Sequence, residues 1–273
     1  MKKTSSITFL NLLALPLFFF AANAFAVQPI PPGVTWFWQL RGAPSPGNPA
    51  QVVDYDVDIY QDHQGPDPNV MALRNAGKEV ICYFSTQYED WRTDMRNLSE
   101  IERRLGQKLK GNVLDDWPGE RFINTRSQAV RDLMQARMVR AKKMGCTGVE
   151  PDNVDFYSFT TSFRLTKADT IDYMRFLSNT AHRLDLKIAL KNADAIAAQV
   201  EPLFDFAVVE ECAKNDECGK YSSFIRKGKA VLQAEYRSFN PSTCKKAKNM
   251  GFSLIFVTNG TKKMNGQGIV PCK

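Results

Sequence analysis

The chain has 273 residues, 44% of them hydrophobic and 24% charged, with 16 Gly and 14 Pro. That composition excludes a disordered, collagenous or coiled-coil protein, each of which needs a far stronger bias. Its 36 basic and 29 acidic residues give a formal charge of +7, and without long basic runs this excess implies solubility rather than a nucleic-acid partner.

Only one segment is apolar enough to consider for a membrane, and it lies at the start. Lys2 and Lys3 precede an apolar stretch from Ile7 to Phe20, interrupted by Pro16, and Ala24-Phe25-Ala26 is a small-x-small cleavage site. The pattern is that of a secretory signal peptide over residues 1–26, not a spanning helix. It predicts export to the periplasm or the medium and no membrane attachment after cleavage. No Cys lies near the cut, which argues against a lipid anchor. Residues 27–273 then form the mature chain, about 245 residues and one large domain's worth. Removing Lys2 and Lys3 leaves 34 basic against 29 acidic residues, a charge of +5.

Along that chain, apolar runs bounded by turn residues predict strands at Trp36–Leu40, Val57–Tyr60, Val80–Ser85, Gly148–Asp152, Lys187–Leu190, Phe206–Glu210, Ala230–Glu235 and Ser253–Val257. Helical segments lie between most of them. Pro68–Ala76 stops at Gly77, and Leu98–Leu105 stops at Gly106. Ser127–Met144 repeats Val130, Leu133, Met134, Arg137, Met138 and Ala141 at helical spacing before Gly145. Thr166, with Asp169 three residues on, forms a capping box for a helix running to His182 or Leu184. Ala193–Val200 and Ser242–Met250 complete the set; the second carries Lys245, Lys246 and Lys248. Eight nearly continuous apolar strands with interleaved helices match a single (β/α)8 TIM barrel of the α/β class. A doubly wound open sheet would bring a Gly-rich phosphate turn after its first strand, and Leu40-Arg41-Gly42-Ala43 is not one.

All six cysteines follow the signal segment, as suits an oxidising compartment. Cys212 and Cys218 are placed to staple one loop, and Cys244 to tie the tail at Cys272; Cys82 and Cys146 either pair or remain buried thiols. The spacing fits no zinc finger, and with only two His residues no metal is expected.

In a (β/α)8 barrel, chemistry gathers at the carboxyl ends of the strands. The fourth strand ends in Glu150-Pro151-Asp152-Asn153-Val154-Asp155, the fifth in Lys191-Asn192, the sixth in Glu210-Glu211 and the seventh in Glu235-Tyr236. Such convergence of carboxylates suits glycoside hydrolysis or an oxygen-ligated divalent cation. Trp36, Trp38, Tyr83, Tyr88, Trp91, Trp117, Tyr157 and Tyr236 lie at or beyond strand ends, some in the core and others able to stack on sugars. They favour a sugar over a phosphate, whose sites want Arg, Lys and Gly-rich turns. No G-x-S-x-G elbow exists, and His63 and His182 read as structural. Lys191 could serve as a Schiff-base lysine, but among so many acids pairing is the expected role.

The motifs W-F-W-Q-L (Trp36–Leu40), V-I-C-Y-F-S (Val80–Ser85), Y-E-D-W-R (Tyr88–Arg92), W-P-G-E (Trp117–Glu120), G-V-E-P-D-N-V-D (Gly148–Asp155), L-K-N (Leu190–Asn192), E-E-C-x5-C (Glu210–Cys218) and G-K-A-V-x3-E-Y (Gly228–Tyr236) occur in order. Together they resemble glycoside hydrolase family 114, the endo-α-1,4-polygalactosaminidases, over nearly the whole mature chain. The resemblance implies a (β/α)8 barrel that cleaves α-1,4-linked, galactosamine-rich polysaccharide without a cofactor. It places the catalytic carboxylates at Asp152, as nucleophile, and Glu210, as general acid and base, with a retaining mechanism. It departs from the family at Val209, where Asn is common, and in the loop after Ser85; the first change is expected to remove a polar contact near the sugar.

A deacetylated galactosamine polymer is cationic, so its cleft should be locally acidic even in a basic protein. Glu150, Asp155, Glu211, Glu235, Asp58 and Asp62 are the candidates for binding its amines. Trp38, Tyr83, Trp117, Asn153, Lys191, Asn192 and Tyr236 complete the expected substrate site. The rival readings are a non-catalytic carbohydrate-binding barrel and a glycosidase for another α-linked galactan. A monomer is the default.

Overall fold

The computed structural model describes residues 27–62, 65–114, 117–260 and 264–272. Residues 1–26, read above as a signal peptide, and His63 lie outside the described residues. Strands β1 (Trp36–Gln39) and β2 (Val52–Tyr55) lead to helix α1 (Pro68–Asn75) and strand β3 (Glu79–Ser85). Next come β4 (Tyr88–Glu89), α2 (Leu98–Leu105), β5 (Lys110–Val113), β6 (Glu120–Ile123), α3 (Gln128–Met144) and β7 (Gly148–Asp152). The remainder is α4 (Lys167–Arg183), β8 (Lys187–Lys191), α5 (Ala197–Val200), β9 (Phe206–Glu210), α6 (Ser222–Arg226), β10 (Val231–Glu235), α7 (Pro241–Asn249), β11 (Ser253–Val257) and β12 (Ile269–Pro271).

Strands β1, β2, β3, β7, β8, β9, β10 and β11 pair in parallel in that order, and β12 joins β11 antiparallel. The sheet curls into the predicted (β/α)8 barrel. Across the remaining gap the Trp36 indole donates to the Ser253 carbonyl at 2.8 Å, and the Leu40 and Arg41 amides donate to Met264 at 2.8 and 2.9 Å. The Cys82–Cys146, Cys212–Cys218 and Cys244–Cys272 disulfides use all six thiols.

The second strand differs from expectation. Residues 52–60 read V-V-D-Y-D-V-D-I-Y, an alternation with no internal boundary. The ladder with β1 and β3 engages its first part, Val52 facing Trp36 and Glu79, so residues 57–60 already form the following turn. A small antiparallel sheet, ordered β4-β6-β5, was not expected either; with α2 it is inserted between β3 and α3.

Local chemistry accounts for the helices. Thr166 and Asp169 form the reciprocal capping box, with the Thr166 amide donating to Asp169 at 2.8 Å. Asp67 accepts the Asn69 and Val70 amides to start α1. Predicted helix 193–200 instead begins as a 3-10 turn over Asp194–Ile196. His182 bonds Asp205 at 2.9 Å, a structural role as expected.

Two apolar layers follow from strand alternation. Val53, Val80, Cys82, Val149, Ile188, Leu190, Ala207, Val209 and Val231 face the helices. Trp36, Val52, Ile81, Ala189, Phe206, Leu232 and Ile255 fill the barrel. Gly148 shares the inward parity near the amino end, where a Cβ would sit 2.7 Å from Ile81 and 3.0 Å from Lys187, so only glycine fits. Val209 belongs to the outer layer. It packs in the helix-facing layer and does not line the cleft, which corrects the expectation drawn from the missing Asn.

Candidate active site

The inward positions change character along the barrel axis. Where the amino ends supply Val52, Ile81, Ala189 and Phe206, the same faces of the same strands end in Asp54, Tyr83, Asp152, Lys191 and Glu210. Of these polar ends, Tyr83, Asp152 and Glu210 line a cleft of about 480 Å³, while Asp54 and Lys191 are buried.

Lys191 is its centre. The side chain is 2% exposed, and Nζ lies 3.0 Å from Glu150 Oε1, 3.1 Å from Asp152 Oδ1 and 3.3 Å from Glu210 Oε2. Burial opposes its charge, but Asp152, Glu150 and Glu210 outweigh burial and hold the ammonium well above the usual lysine range. A permanently protonated amine is no nucleophile, so the structure places Lys191 as a counter-ion and not as a Schiff-base lysine.

Asp152 accepts the Tyr83 hydroxyl at 2.9 Å and the Asn153 amide at 2.7 Å. Glu210 accepts the Tyr236 hydroxyl in a short bond and Asn192 Nδ2 at 3.0 Å. Asn192 Oδ1 in turn receives the Glu210 amide at 2.9 Å. Asn153 and Asn192, the residues that follow β7 and β8, both have left-handed backbone, with φ of 60° and 47°. Asn tolerates that region better than most residues. Each turn puts its amide or side chain on a carboxylate rather than into solvent.

Beneath them lies a second, fully buried layer. Trp38 donates to Glu150 Oε2 at 3.2 Å, and the Lys191 ammonium sits 4.8 Å from the Trp38 ring centre. Asp54, 0% exposed, faces Glu150. Burial, then repulsion from Glu150, raises the Asp54 carboxyl well above the carboxylate range. Burial likewise pushes Glu150 to about 7 against the pull of Lys191.

Other expected residues fall in different places. Tyr83, Asn153, Asp155, Asn192 and Trp117 line the cleft, and burial with Asp152 nearby pushes Asp155 to about 6. Glu150 and Trp38 are floor, shielded from a sugar. Glu235 has the outward parity of Val231 and Gln233. It is fully buried and accepts Ala213 N at 2.8 Å, Gln233 Nε2 at 2.9 Å and Arg237 Nη2 at 3.0 Å. Glu211 is turned onto Lys214 at 2.8 Å. Asp58, on the turn after β2, accepts Gln61 at 2.8 Å, and Asp62 lies 3.8 Å from Arg140. None of these last four lines the cleft.

Five acids and bases of the cleft were not singled out from the sequence: Arg41, Asp56, Glu89, Arg92 and Glu120. Arg92 joins Asp56 at 2.6 Å and Glu89 at 3.0 Å. Glu89 and Glu120 were visible only as members of the Y-E-D-W-R and W-P-G-E motifs.

The sequence profile of Glycoside-hydrolase family GH114 matches residues 20–271. Among solved structures, that of Aspergillus fumigatus Ega3 in complex with galactosamine is 33% identical and superposes with a TM-score of 0.77, covering 90% of this chain and 98% of that one. The glycoside hydrolase domain of PelA from Pseudomonas aeruginosa has the same fold at 14% identity and a TM-score of 0.59, covering 87% and 98%. Among curated proteins none matches significantly.

Proposed function

The chain belongs to glycoside-hydrolase family GH114, and from that premise we propose that it is an exported hydrolase cleaving α-1,4-linked, galactosamine-containing polysaccharide with retention, Asp152 acting as nucleophile and Glu210 as general acid and base. The observation that carries the mechanism is the ammonium shared by the two carboxylates. With Lys191 Nζ 3.1 Å from Asp152 Oδ1 and 3.3 Å from Glu210 Oε2, those oxygens lie no farther apart than the two distances together, 6.4 Å. Retaining glycosidases hold their carboxyls about 5–5.5 Å apart, whereas inverting enzymes leave roughly 6.5–9.5 Å for a water.

In the first step an Asp152 oxygen attacks the anomeric carbon while the Glu210 carboxyl protonates the departing glycosidic oxygen. In the second, Glu210 takes a proton from water, whose oxygen displaces Asp152 from the same carbon. The side chain of Glu210 is 24% exposed against 18% for Asp152, which suits the group that must exchange protons with water. Tyr83, Tyr236 and Asn192 fix the carboxylate orientations, and Lys191 offsets their mutual repulsion as charge shifts between them.

The galactosamine assignment rests on the likeness to Ega3 and on the acidic cleft. Export fits three disulfides in the mature chain, and among the described residues no helix is long and apolar enough to cross a membrane. The test is mass spectrometry and anomer-resolved NMR of the products from a partly deacetylated α-1,4-galactosamine polymer. Oligosaccharides released with retained configuration by the native protein, and lost in Asp152→Asn and Glu210→Gln, are expected. Undiminished cleavage by either variant removes that residue from the mechanism, and inverted products refute the nucleophile.

A further inference from the structure

The cleft wall opposite the catalytic pair carries a second acidic site that the mechanism does not use. In the inserted sheet, β4 and β6 pair antiparallel with Glu89 directly facing Glu120. Residues so opposed project to the same side, and like charges there destabilise a sheet. Both side chains are buried, 2% and 7% exposed, and both line the cleft. Each also has one oxygen, Oε2, buried without a hydrogen-bond partner.

The nearby cations make their ion pairs with Glu89 and other acids, not with Glu120. Arg92 Nε reaches Glu89 Oε1 at 3.0 Å while its Nη2 is committed to Asp56, and Arg137 stands 3.9 Å from Glu89 Oε2. No ion pair or hydrogen bond reaches the Glu120 side chain among the described residues. Burial, with Glu89 and Asp152 adding repulsion, pushes its carboxyl up to about 8, the behaviour of an acid lacking a partner. A buried carboxyl kept unsatisfied beside another is costly, and such groups persist where a ligand completes them.

Its setting is built for a ring. Gly119, at φ +98°, lets the Trp117–Glu120 turn close against the neighbouring strand; a Cβ there would meet Asp90 and Trp91 at 3.0 Å. The turn thus brings Glu120 into the same cleft as Trp91 and Trp117, which are 49% and 45% exposed. Large apolar rings left open beside a buried acid match the two halves of an amino sugar, an apolar pyranose face and a charged nitrogen.

We propose that Glu120, with Glu89 behind it, is an ammonium-binding subsite that selects a deacetylated 2-amino sugar unit beside the scissile one. This rests on the galactosamine reading above and adds the residues that read the amine. A primary ammonium entering between the two carboxyls supplies the missing donors and counter-charge. An N-acetylated unit carries no charge and leaves Glu120 unpaired, so it is disfavoured at this position.

The experiment compares native protein with Glu120→Gln on a deacetylated α-1,4-galactosamine oligomer. It also measures, in the inactive Asp152→Asn background, the affinity of deacetylated and fully N-acetylated oligomers with and without Glu120→Gln. The expected result is a tenfold or greater rise in KM with kcat within about threefold. Preference for the deacetylated oligomer should fall by a similar factor, and Glu120→Asp should recover part of the loss. Because the substitution removes an unpaired buried acid, the variant should melt no lower than the native protein. Unchanged KM and preference overturn the subsite, as does equal weakening toward both oligomers or a loss confined to kcat. A native protein that binds the deacetylated oligomer through Glu120 without cutting it would refute the hydrolase reading and leave the subsite standing. Failure of both binding and cleavage would refute both.

Discussion

Replacing Lys191 by Met removes one positive charge from among three carboxylates and keeps most of the side-chain volume. Contacts of 3.0, 3.1 and 3.3 Å to Glu150, Asp152 and Glu210 are lost together. Removing one partner of a buried ion pair typically costs about 3–5 kcal/mol, chiefly because the remaining charge is stranded. Here three acids are stranded, and two features limit the damage. Burial already raises the Asp54 carboxyl well above its usual range, and Glu150, at about 7 even with the ammonium beside it, can take up a proton.

The cost therefore depends on pH, and its sign is fixed. A carboxyl whose folded pKa is raised binds more protons folded than unfolded, so it lowers stability as pH climbs from its ordinary value to the raised one. Losing Lys191 extends that window upward for Glu150. The difference between native protein and Lys191→Met should be about 3 kcal/mol at pH 5.5 and rise by on the order of 1.4 kcal/mol by pH 8. Urea unfolding at both pH values measures it. Hydrolysis by the variant should fall by a hundredfold or more, since both reacting carboxyls lose a fixed contact. A difference below about 1 kcal/mol, or one independent of pH, would refute the counter-ion role.

Two further outcomes follow from the same electrostatics. Glu120 at about 8, Glu89 and Glu150 at about 7 and Asp155 at about 6 all lie above their ordinary values, in each case first through burial. Native stability should therefore decline between about pH 5 and 8, at on the order of 1.4 kcal/mol per pH unit for each group inside its window. Urea midpoints across that range read it, and stability rising toward pH 8 would show that these acids ionise freely. Glu235→Ala should cost about 2–4 kcal/mol by orphaning Ala213 N, Gln233 and Arg237, yet leave KM for the amino-sugar polymer unchanged. A raised KM at native stability would return Glu235 to the amine-binding residues.

Barrel class, strand number and the block of acids after the fourth barrel strand were legible because each depends on local pattern. Apolar runs mark buried parallel strands, and a run that turns ionisable marks the carboxyl end. Where a run aims its side chains is a different question, decided by parity relative to the barrel interior. Asp152, Lys191 and Glu210 share parity with Ala189 and Phe206 and so meet in the cleft. Glu235 ends a strand just as plainly but shares parity with Val231, and is used to hold a loop. Once Leu232 and Ala234 are assigned inward, the alternation alone assigns Glu235 outward and Tyr236 inward. That step needs one anchor residue per strand, which an apolar run buried on both faces does not announce.

Strand β2 is the harder case, because an alternating stretch of nine residues fits either end equally. Parallel ladders register through neighbours far along the chain, here Thr35 receiving the Gln51 and Val52 amides, and Gln51 receiving that of Glu79. Sliding the strand to 57–60 would have put Asp58 near the barrel mouth and left Asp54 unassigned. The observed register buries Asp54 beneath Glu150 instead. Acids legible as strand-end charges thus lie in two layers, one at the cleft and one buried below it, with Lys191 between them. The acids of the inserted sheet escaped because neither Glu89 nor Glu120 ends a barrel strand. They reach the cleft only through the antiparallel pairing of two short segments thirty residues apart, a contact with no periodicity of its own.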